Sequence, residues 1–384
     1  MKYTVGVFFF LSMFVPSVAF AKAATPEELI QKYTQAKAGG EKVKVLIVPG
    51  HDVEATGTEF RGIKEYKLNA LLADNLYSYF KKDPAFAVTI TQKNGEYTDT
   101  FRTYFAQQRS AIQQFRKEHV TARTQALESG AMSVVKGVPH NTASEDVSVK
   151  LFGINKWADE HDIDLVIHIH FNDHGGRKPN KLGDYNGYTI YIPESQLPNA
   201  KTSRPIAEAV AKKLGEANPT SNLQGESQGV TEEQDLIAIG SHNSLEAAAF
   251  LVEYAYIYEP QLTASNVQKY ALNEYAYRTY WGVKEFFGDP IKKKIASPYF
   301  PYRFENALKK GTKASRAVFA LQTALAHDGA YPASGKTLND CPVSGNFGLC
   351  TELAVKEFQE KNGLPATGVV GSLTQKALNR VYGK

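Results

Sequence analysis

Two histidines lie in a stretch that is otherwise typical of a buried β-strand. The segment DIDLVIHIHFND, residues 162–173, carries His168 and His170 among aliphatic side chains. Because they are two positions apart, both imidazoles share one face of the strand. His170 is nearer the carboxyl end, where open parallel sheets bind ligands, so it is the better candidate for a metal ligand. His168 is interpreted as a buried, hydrogen-bonded neighbour, and His174 in the following loop as a looser candidate.

Two further residues suit a hydrolytic zinc site, which uses three protein ligands and leaves one place for water. His51 follows VLIVPG, so a Pro-Gly turn places it at the carboxyl end of the first predicted strand, although a lone His there is commonly an ordinary loop residue. Glu65 lies three positions before Leu68, on the apolar face of a predicted helix, and therefore points toward the sheet. The alternative for Glu65 is an acid favoured by the helix dipole. Glu54 and Glu59 are competitors in the preceding loop.

A carboxylate interrupts another apolar strand. Glu253 lies in AAFLVEYAYIY, residues 248–258, between Val252 and Tyr254. Burying a carboxylate costs roughly several kcal/mol of folding free energy unless the group is paired or bound to a metal. A structural salt bridge is the alternative explanation. Beside three metal ligands, we predict that Glu253 is a catalytic acid/base.

These residues are placed by alternating strand and helix patterns between residues 41 and 287. The strand patterns are KVKVLIVPG, FAVTITQ, DLVIHIHF, GYTIYIP, QDLIAIG and AAFLVEYAYIY, and helical patterns separate most of them, including a long one from about Thr100 to Ala126. Such alternation predicts the α/β class, with a mostly parallel twisted sheet and helices on both faces.

The stretch from Glu128 to Val149 has no clear periodicity and is rich in Gly, Pro, Asn, Ser and Thr. It is predicted to be a long surface loop near the end of the sheet. Because it precedes the histidine-bearing strand, we interpret it as a lid or a substrate-selecting loop that brings His140 toward the metal.

The two ends of the chain indicate export and a second domain. Residues 1–21 have the pattern of a cleaved secretory signal, which predicts a periplasmic or extracellular location. Removing them takes away Lys2 from the 44 basic residues and leaves 43 against 40 acidic ones, a balance too even to indicate nucleic acid. In an oxidising compartment Cys341 and Cys350 are expected to form a disulfide.

The C-terminal segment contains a repeat. SGNFGLCTELAV and TGVVGSLTQKAL align at an offset of 23, with matched Gly, Thr and Ala residues, and each half predicts a Gly-bearing turn followed by a helix. With the helical pattern RAVFALQTALA ahead, a small three-helix domain is predicted. The predicted divisions are a signal at 1–21, a catalytic domain at 22–290, a linker at 291–313 and this domain at 314–384.

The four motifs VLIVPGH, GIKEYKLNALLADNL, DLVIHIHFND and FLVEYAYI together resemble the zinc-dependent N-acetylmuramoyl-L-alanine amidases of the Amidase_3 family. The resemblance implies one zinc ion held by His51, Glu65 and His170, with Glu253 as the catalytic acid/base. It also implies cleavage of the amide between N-acetylmuramic acid and L-alanine in peptidoglycan. The chain departs from the family in having Asp52 after the His, where Gly is usual, and in a longer stretch between the second and third ligands.

The C-terminal repeat is similar to peptidoglycan-binding domains of the PG_binding_1 type, although Ser344 and Thr367 stand where that family commonly has Asp. The resemblance implies that the domain anchors the enzyme to the wall. Two alternatives stay open, a zinc peptidase acting within the stem peptide and a non-catalytic peptidoglycan-binding protein. A serine esterase is disfavoured because the sequence has no G-x-S-x-G turn.

Overall fold

The computed structural model describes residues 23–291 and 297–383. The predicted signal segment, residues 1–21, lies outside the described residues. Among the helices that are described, none combines the length and the apolar character that crossing a bilayer requires.

A six-stranded sheet forms the centre of the molecule. The strands, in chain order, are β1 (Val43–Pro49), β2 (Glu59–Phe60), β3 (Ile63–Lys64), β4 (Phe86–Ile90), β5 (Gln92–Lys93), β6 (Glu96–Tyr97), β7 (Leu165–Asn172), β8 (Thr189–Pro193), β9 (Val230–Glu233) and β10 (Ala248–Tyr256). The large sheet has the order β4-β1-β7-β10-β8-β9, and only the β10–β8 pair is antiparallel. The predicted α/β class with a mostly parallel sheet is therefore confirmed.

Helices cover both faces of this sheet. They are α1 (Pro26–Lys37), α2 (Glu65–Lys82), α3 (Asp99–Gln107), α4 (Arg109–Glu128), α5 (Glu145–Glu160), α6 (Ala200–Gly215), α7 (Pro260–Thr263), α8 (Ser265–Phe286), α9 (Arg316–Asp328), α10 (Leu349–Lys361) and α11 (Ser372–Tyr382). Along β7, Ile167 and Ile169 belong to the core that α2, α6 and α8 cover, whereas Val166 belongs to the core under α5. His168 and His170 alternate with the first set, so they lie on the α5 face.

Two local predictions are wrong in detail. QDLIAIG is not a strand: β9 ends before it, and Ile237–Ile239 form a 3₁₀ turn that ends at Gly240, which has a φ of 95°. Asn155 of α5 donates from Nδ2 to the Ile237 carbonyl at 2.8 Å, so packing against α5 overrides the local strand pattern. The long helical pattern is divided into α3 and α4.

The predicted loop is shorter than Glu128–Val149, because α5 begins within it. Ser144 is the N-cap of α5, and its side chain accepts a hydrogen bond from the Val147 N–H. Glu145 and Asp146 follow in the first turn, where the helix dipole favours acids. The irregular part is therefore residues 129–144.

The two halves of the C-terminal repeat form α10 and α11, the helical pattern ahead of them forms α9, as predicted, and Cys341 and Cys350 form the expected disulfide. The stretch predicted as a linker is in contact with both neighbours. On the catalytic side, Tyr299 packs on Tyr270 of α8 with 5.6 Å between ring centroids. On the C-terminal side, Tyr299 packs on Phe319 of α9 at 5.3 Å, and Leu308 pairs with Val370 in an isolated bridge. The C-terminal helices are thus packed against the rest of the protein.

Candidate metal centre

Three of the predicted site residues converge at the carboxyl edge of the sheet. His51, Glu65 and His170 each offer one ligand atom, and these atoms all lie within 4.8 Å of one another. His51 Nε2 is 3.2 Å from Glu65 Oε2, and His170 Nδ1 is 3.1 Å from Glu65 Oε1. A tetrahedral zinc ion with bonds of about 2.0–2.2 Å holds its ligand atoms roughly 3.3 Å apart. Two imidazoles and one carboxylate at this spacing fit a divalent metal.

The turn after β1 gives His51 its position. Gly50 lies directly over His170, and a Cβ at Gly50 would come within 2.1 Å of the His170 ring, so only glycine fits there. His51 itself has a φ of 61°, an uncommon conformation for a residue with a side chain. Asp52 stabilises the turn, since its Oδ1 accepts from the Glu54 and Ala55 N–H groups at 2.9 and 2.7 Å. The departure from the family pattern at Asp52 therefore has a structural role.

Glu65 is fixed by hydrogen bonds that leave its carboxylate between the two imidazoles. Its Oε1 accepts from the Phe171 N–H at 3.2 Å and its Oε2 from the Thr58 N–H at 3.0 Å. Asn69, one turn along α2, donates from Nδ2 to the Gly50 carbonyl at 2.8 Å and ties the helix to the β1 turn. Such outer hydrogen bonds orient metal ligands.

The electrostatics of the cluster match a cation site. Burial raises the pKa of Glu65, but hydrogen bonds from His170 and His51 outweigh this and hold the pKa far below its usual value. Burial lowers the pKa of His170, and the hydrogen bond to Glu65 only partly offsets this. For His51, burial also lowers the pKa, but Glu65 raises it more. An ionised carboxylate beside a neutral imidazole is the protonation state that binds metals.

Glu253 stands beside this cluster on the neighbouring strand. It is paired with His170 in the parallel register of β10 and β7, so the two residues share one face of the sheet. Its Oε2 is shielded from solvent and has no hydrogen-bond partner among the described residues. Burial raises the pKa of Glu253 well above its usual value, and the charges of Glu65 and Glu226 raise it further. A carboxyl group of this kind is able to hold a proton near neutral pH.

The three other histidines predicted near the site lie outside the ligand group. His168 is buried, with its Nε2 unpartnered among the described residues, and burial together with the charge of His170 lowers its pKa to about 3. His174 packs against Tyr185, with 4.6 Å between ring centroids. His140 lies 3.3 Å from Glu233, through Nε2 and Oε2, rather than on the metal ligands.

One large pocket is lined by two of the three candidate ligands, His51 and His170. It has a volume of about 1280 Å³, and its lining includes His51, His168 and His170 as well as residues 134–145. The irregular segment between α4 and α5 therefore forms one wall of the pocket that contains the candidate ligands. This position agrees with the predicted location of the loop near the end of the sheet.

Sequence reasoning missed a buried carboxylate close to Glu253. Glu226 accepts from Tyr191 Oη and Ser221 Oγ at 2.5 Å each, and from Tyr256 Oη at 3.2 Å. Glu226 lies in a loop before β9, where an acidic residue does not by itself indicate a functional site. Gly57 was also missed, although a Cβ there would come within 2.4 Å of Glu65 Oε2. The position of Gly57 in a loop between Glu54 and Glu59 was the only signal in the sequence that could have indicated its role.

Together these features define an α/β protein with a two-histidine, one-carboxylate candidate metal centre at the carboxyl edge of its sheet. Residues 45–285 match the family model described as N-acetylmuramoyl-L-alanine amidase, and the chain belongs to this family. Residues 315–378 match the model of a peptidoglycan binding domain. The two matches agree with the sequence resemblances stated above.

Individual relatives are distant or partial. A probable N-acetylmuramoyl-L-alanine amidase of Bacillus licheniformis is 42% identical over 74 residues, which are 19% of this chain and 19% of that protein. The chain thus spans about a fifth of this curated relative's length. Among solved structures, the amidase AmiC2 of Nostoc punctiforme has a TM-score of 0.41 at 14% identity, covering 65% of this chain and 99% of that one. The amidase Ami1 of Mycobacterium smegmatis has a TM-score of 0.42 at 12% identity, with coverages of 65% and 99%.

Proposed function

We propose that the protein is an exported cell-wall hydrolase that cleaves the amide between N-acetylmuramic acid and L-alanine in peptidoglycan. The observation that carries the proposal is the convergence of His51, Glu65 and His170, with Glu253 paired beside His170. Membership of the amidase family and the match to a peptidoglycan binding domain support the identity of the substrate.

His51, Glu65 and His170 would hold one zinc ion, because their ligand types and spacing fit this metal better than an all-oxygen site would. A zinc ion there would polarise the substrate carbonyl and make water acidic enough to attack near neutral pH. Glu65 keeps its place through the Phe171 and Thr58 N–H groups whether or not the imidazoles are engaged.

Glu253 supplies the proton transfers in this proposal. Its Oε2 has no partner among the described residues, so it is free to take the proton of the attacking water. The raised pKa of the Glu253 carboxyl favours keeping that proton until the amide bond breaks. Glu253 then delivers it to the nitrogen of L-alanine, which leaves as an amine, while the hydroxyl of the water remains on the lactyl carbonyl.

The C-terminal helices would hold the enzyme on the wall. They pack on the catalytic region through Arg316, whose guanidinium lies 4.4 Å from the centroid of the Tyr270 ring, and Asn266 of α8 donates from Nδ2 to the Ala314 carbonyl at 2.6 Å. Export is supported by the signal-like residues 1–21 and by the Cys341–Cys350 disulfide, which is the form of cysteine pairs in oxidising compartments.

The test is product analysis of purified sacculi digested with the zinc-loaded protein. Free intact stem peptides and glycan strands without peptides are the expected products, and Glu253→Gln should release neither. Cleavage within the stem peptide would instead establish the zinc-peptidase alternative. Retention on sacculi without any product would establish the non-catalytic one.

A further inference from the structure

Residues 133–140 are here called the arch, and residues 134–140 of it line the same pocket as His51 and His170. Although the arch has no regular secondary structure, its backbone is hydrogen-bonded to the end of β9. The Val138 N–H donates to Glu233 Oε2 at 3.1 Å, and the Val135 N–H donates to Gln234 Oε1 at 3.2 Å. Gln234 Nε2 donates in return to the Ser133 carbonyl at 2.9 Å. The arch therefore has a defined position.

Glu233 is the main attachment point of the arch. It is only 2% exposed, and its Oε2 accepts both the Val138 N–H and the His140 Nε2–H. Gly137 lies directly over this carboxylate, and a Cβ at Gly137 would come within 2.1 Å of Oε2. The close approach needs glycine, which indicates that the arch is built to contact Glu233.

This attachment determines what His140 offers to the pocket. Because the Glu233 carboxylate accepts from Nε2, Nε2 carries the proton and Nδ1 of the neutral ring is an acceptor. The ring is held from the side by Tyr191, edge-on with 4.9 Å between centroids. Nδ1 thus suits an N–H donor of a ligand, such as a peptide group.

Lys136 adds a charge to the same wall. It lines the pocket and is exposed, and no ion pair with it is formed among residues 23–291 and 297–383. The other long basic side chains of the pocket are already engaged: Arg116 with Glu145 at 2.5 Å, and Lys150 with Asp52 at 3.3 Å. An ammonium group without a protein partner suits a carboxylate of the ligand.

We propose that the arch is the subsite for the peptide part of the substrate, an anionic and extended stem peptide. Lys136 binds a peptide carboxylate, His140 Nδ1 accepts a peptide N–H, and Glu233 is the positioning residue for both. This inference rests on the proposed function, because a muramyl peptide is the substrate that brings such a chain next to the metal ligands.

The experiment compares two soluble ligands that differ in one group: a muramyl dipeptide with a free carboxylate on its second amino acid, and the same compound with that carboxylate amidated. Calorimetry at pH 7 uses the zinc-loaded full chain carrying Glu253→Gln, so that neither ligand is consumed. The carboxylate form should bind about 10-fold more tightly, because a hydrogen bond to a charged group contributes about 1.5 kcal/mol or more.

Added substitutions locate the effect. Lys136→Gln should abolish the preference for the carboxylate form, whereas Glu233→Gln should weaken both ligands by about 5-fold or more. The matched control is Glu232→Gln, because Glu232 is the adjacent carboxylate of β9 but pairs with Arg204. Thermal unfolding of each variant separates weakened binding from misfolding.

The outcomes separate this inference from the proposed function. Equal affinity for the two ligands, no binding of either, or a preference that survives Lys136→Gln would overturn the subsite. Hydrolysis of sacculi by the chain with Glu253 intact is measured in parallel. Hydrolysis without the preference rejects only the subsite, and the preference without hydrolysis rejects only the amidase proposal.

Discussion

The C-terminal domain and the catalytic pocket both contain buried polar side chains, but they use them in opposite ways. In the C-terminal domain Gln322 of α9 and Gln359 of α10 each bind the glycine turn that follows. Gln322 Oε1 accepts from the Gly345 N–H, and Gln359 Oε1 accepts from the Gly368 N–H, both at 2.9 Å. Each amide also donates to the threonine of the next helix. Every polar atom of these two side chains has a partner.

Around the candidate metal ligands, by contrast, two buried polar atoms have no hydrogen-bond partner. Glu253 Oε2 and His168 Nε2 are shielded from water and lack a partner among the described residues. Buried polar groups are normally satisfied, because an unsatisfied one costs about 1–3 kcal/mol. At Glu253, which is paired with His170, such an atom is open to a water molecule or a substrate. The comparison therefore contrasts saturated glutamines, which hold the turns of the C-terminal domain, with an open carboxyl group beside the candidate metal ligands.

Removing the metal should have the largest effect. We expect a zinc chelator to reduce hydrolysis of sacculi to the detection limit and stoichiometric zinc to restore it. The reason is that His51, Glu65 and His170 act on the amide only through the metal ion that they bind. Circular dichroism should show that the fold persists, since Glu65 keeps its backbone hydrogen bonds. Full activity in a metal-free sample, checked by mass spectrometry of the bound metal, would contradict the site.

Replacing the open carboxylate should come next. Glu253→Gln is expected to lower kcat by about 10²–10⁴-fold, the usual contribution of a general acid/base. Bound zinc and the melting temperature should stay near those of the parent, because the amide has nearly the shape of the carboxylate and Glu253 is not one of the three candidate ligands. The comparison variant is Glu226→Gln, whose carboxylate is saturated by Tyr191, Ser221 and Tyr256. It should lose stability, and its kcat should fall less than that of Glu253→Gln.

Several residues of the candidate site could be predicted from the sequence, and others could not. The strand patterns placed His51 and His170 near the carboxyl ends of β1 and β7 and Glu253 within a buried strand, because hydrophobic periodicity identifies buried strands and their ends. The 3₁₀ turn at Ile237–Ile239 was mistaken for a strand, since its packing against α5 is a tertiary effect that a short apolar run does not reveal. Glu226 was missed because its neighbours are distant in sequence. Partners from other elements determine whether a polar atom is saturated.

The saturated amides should matter for stability rather than chemistry. Gln359→Ala removes hydrogen bonds to the Gly368 N–H, the Val369 carbonyl and Thr374 Oγ1, and leaves those groups buried. We expect a loss of about 2–4 kcal/mol in the unfolding free energy of the C-terminal helices. Cosedimentation with sacculi should weaken, while zinc content and hydrolysis of a soluble muramyl peptide stay unchanged. Loss of soluble activity equal to the loss of retention would show that the two regions are not separable.

A change at a carboxylate outside both regions should give the smallest effect. It tests, through the pH dependence of stability, how burial raises the pKa of a carboxyl group. Burial raises the pKa of Asp159 from 3.8 to about 8, and only the Glu246 N–H, at 2.9 Å, opposes this through a hydrogen bond. Because the folded pKa is the higher one, the stability that Asp159 contributes is complete below about pH 4 and is lost as pH rises toward 8.

Asp159→Asn should remove this loss, since the amide keeps an acceptor for the Glu246 N–H and carries no charge. We expect the unfolding free energy to rise by about 1 kcal/mol or more at pH 8 and to be nearly unchanged at pH 4. Denaturant titrations at the two pH values measure the difference. The neighbouring Glu160→Gln is the control, because the pKa of Glu160 is lowered by Lys156 and Tyr104 against the effect of its burial, so its loss should not stabilise the protein at pH 8. An equal gain at both pH values would contradict the raised pKa of Asp159, and it would weaken the same argument for Glu253, whose pKa is also raised by burial.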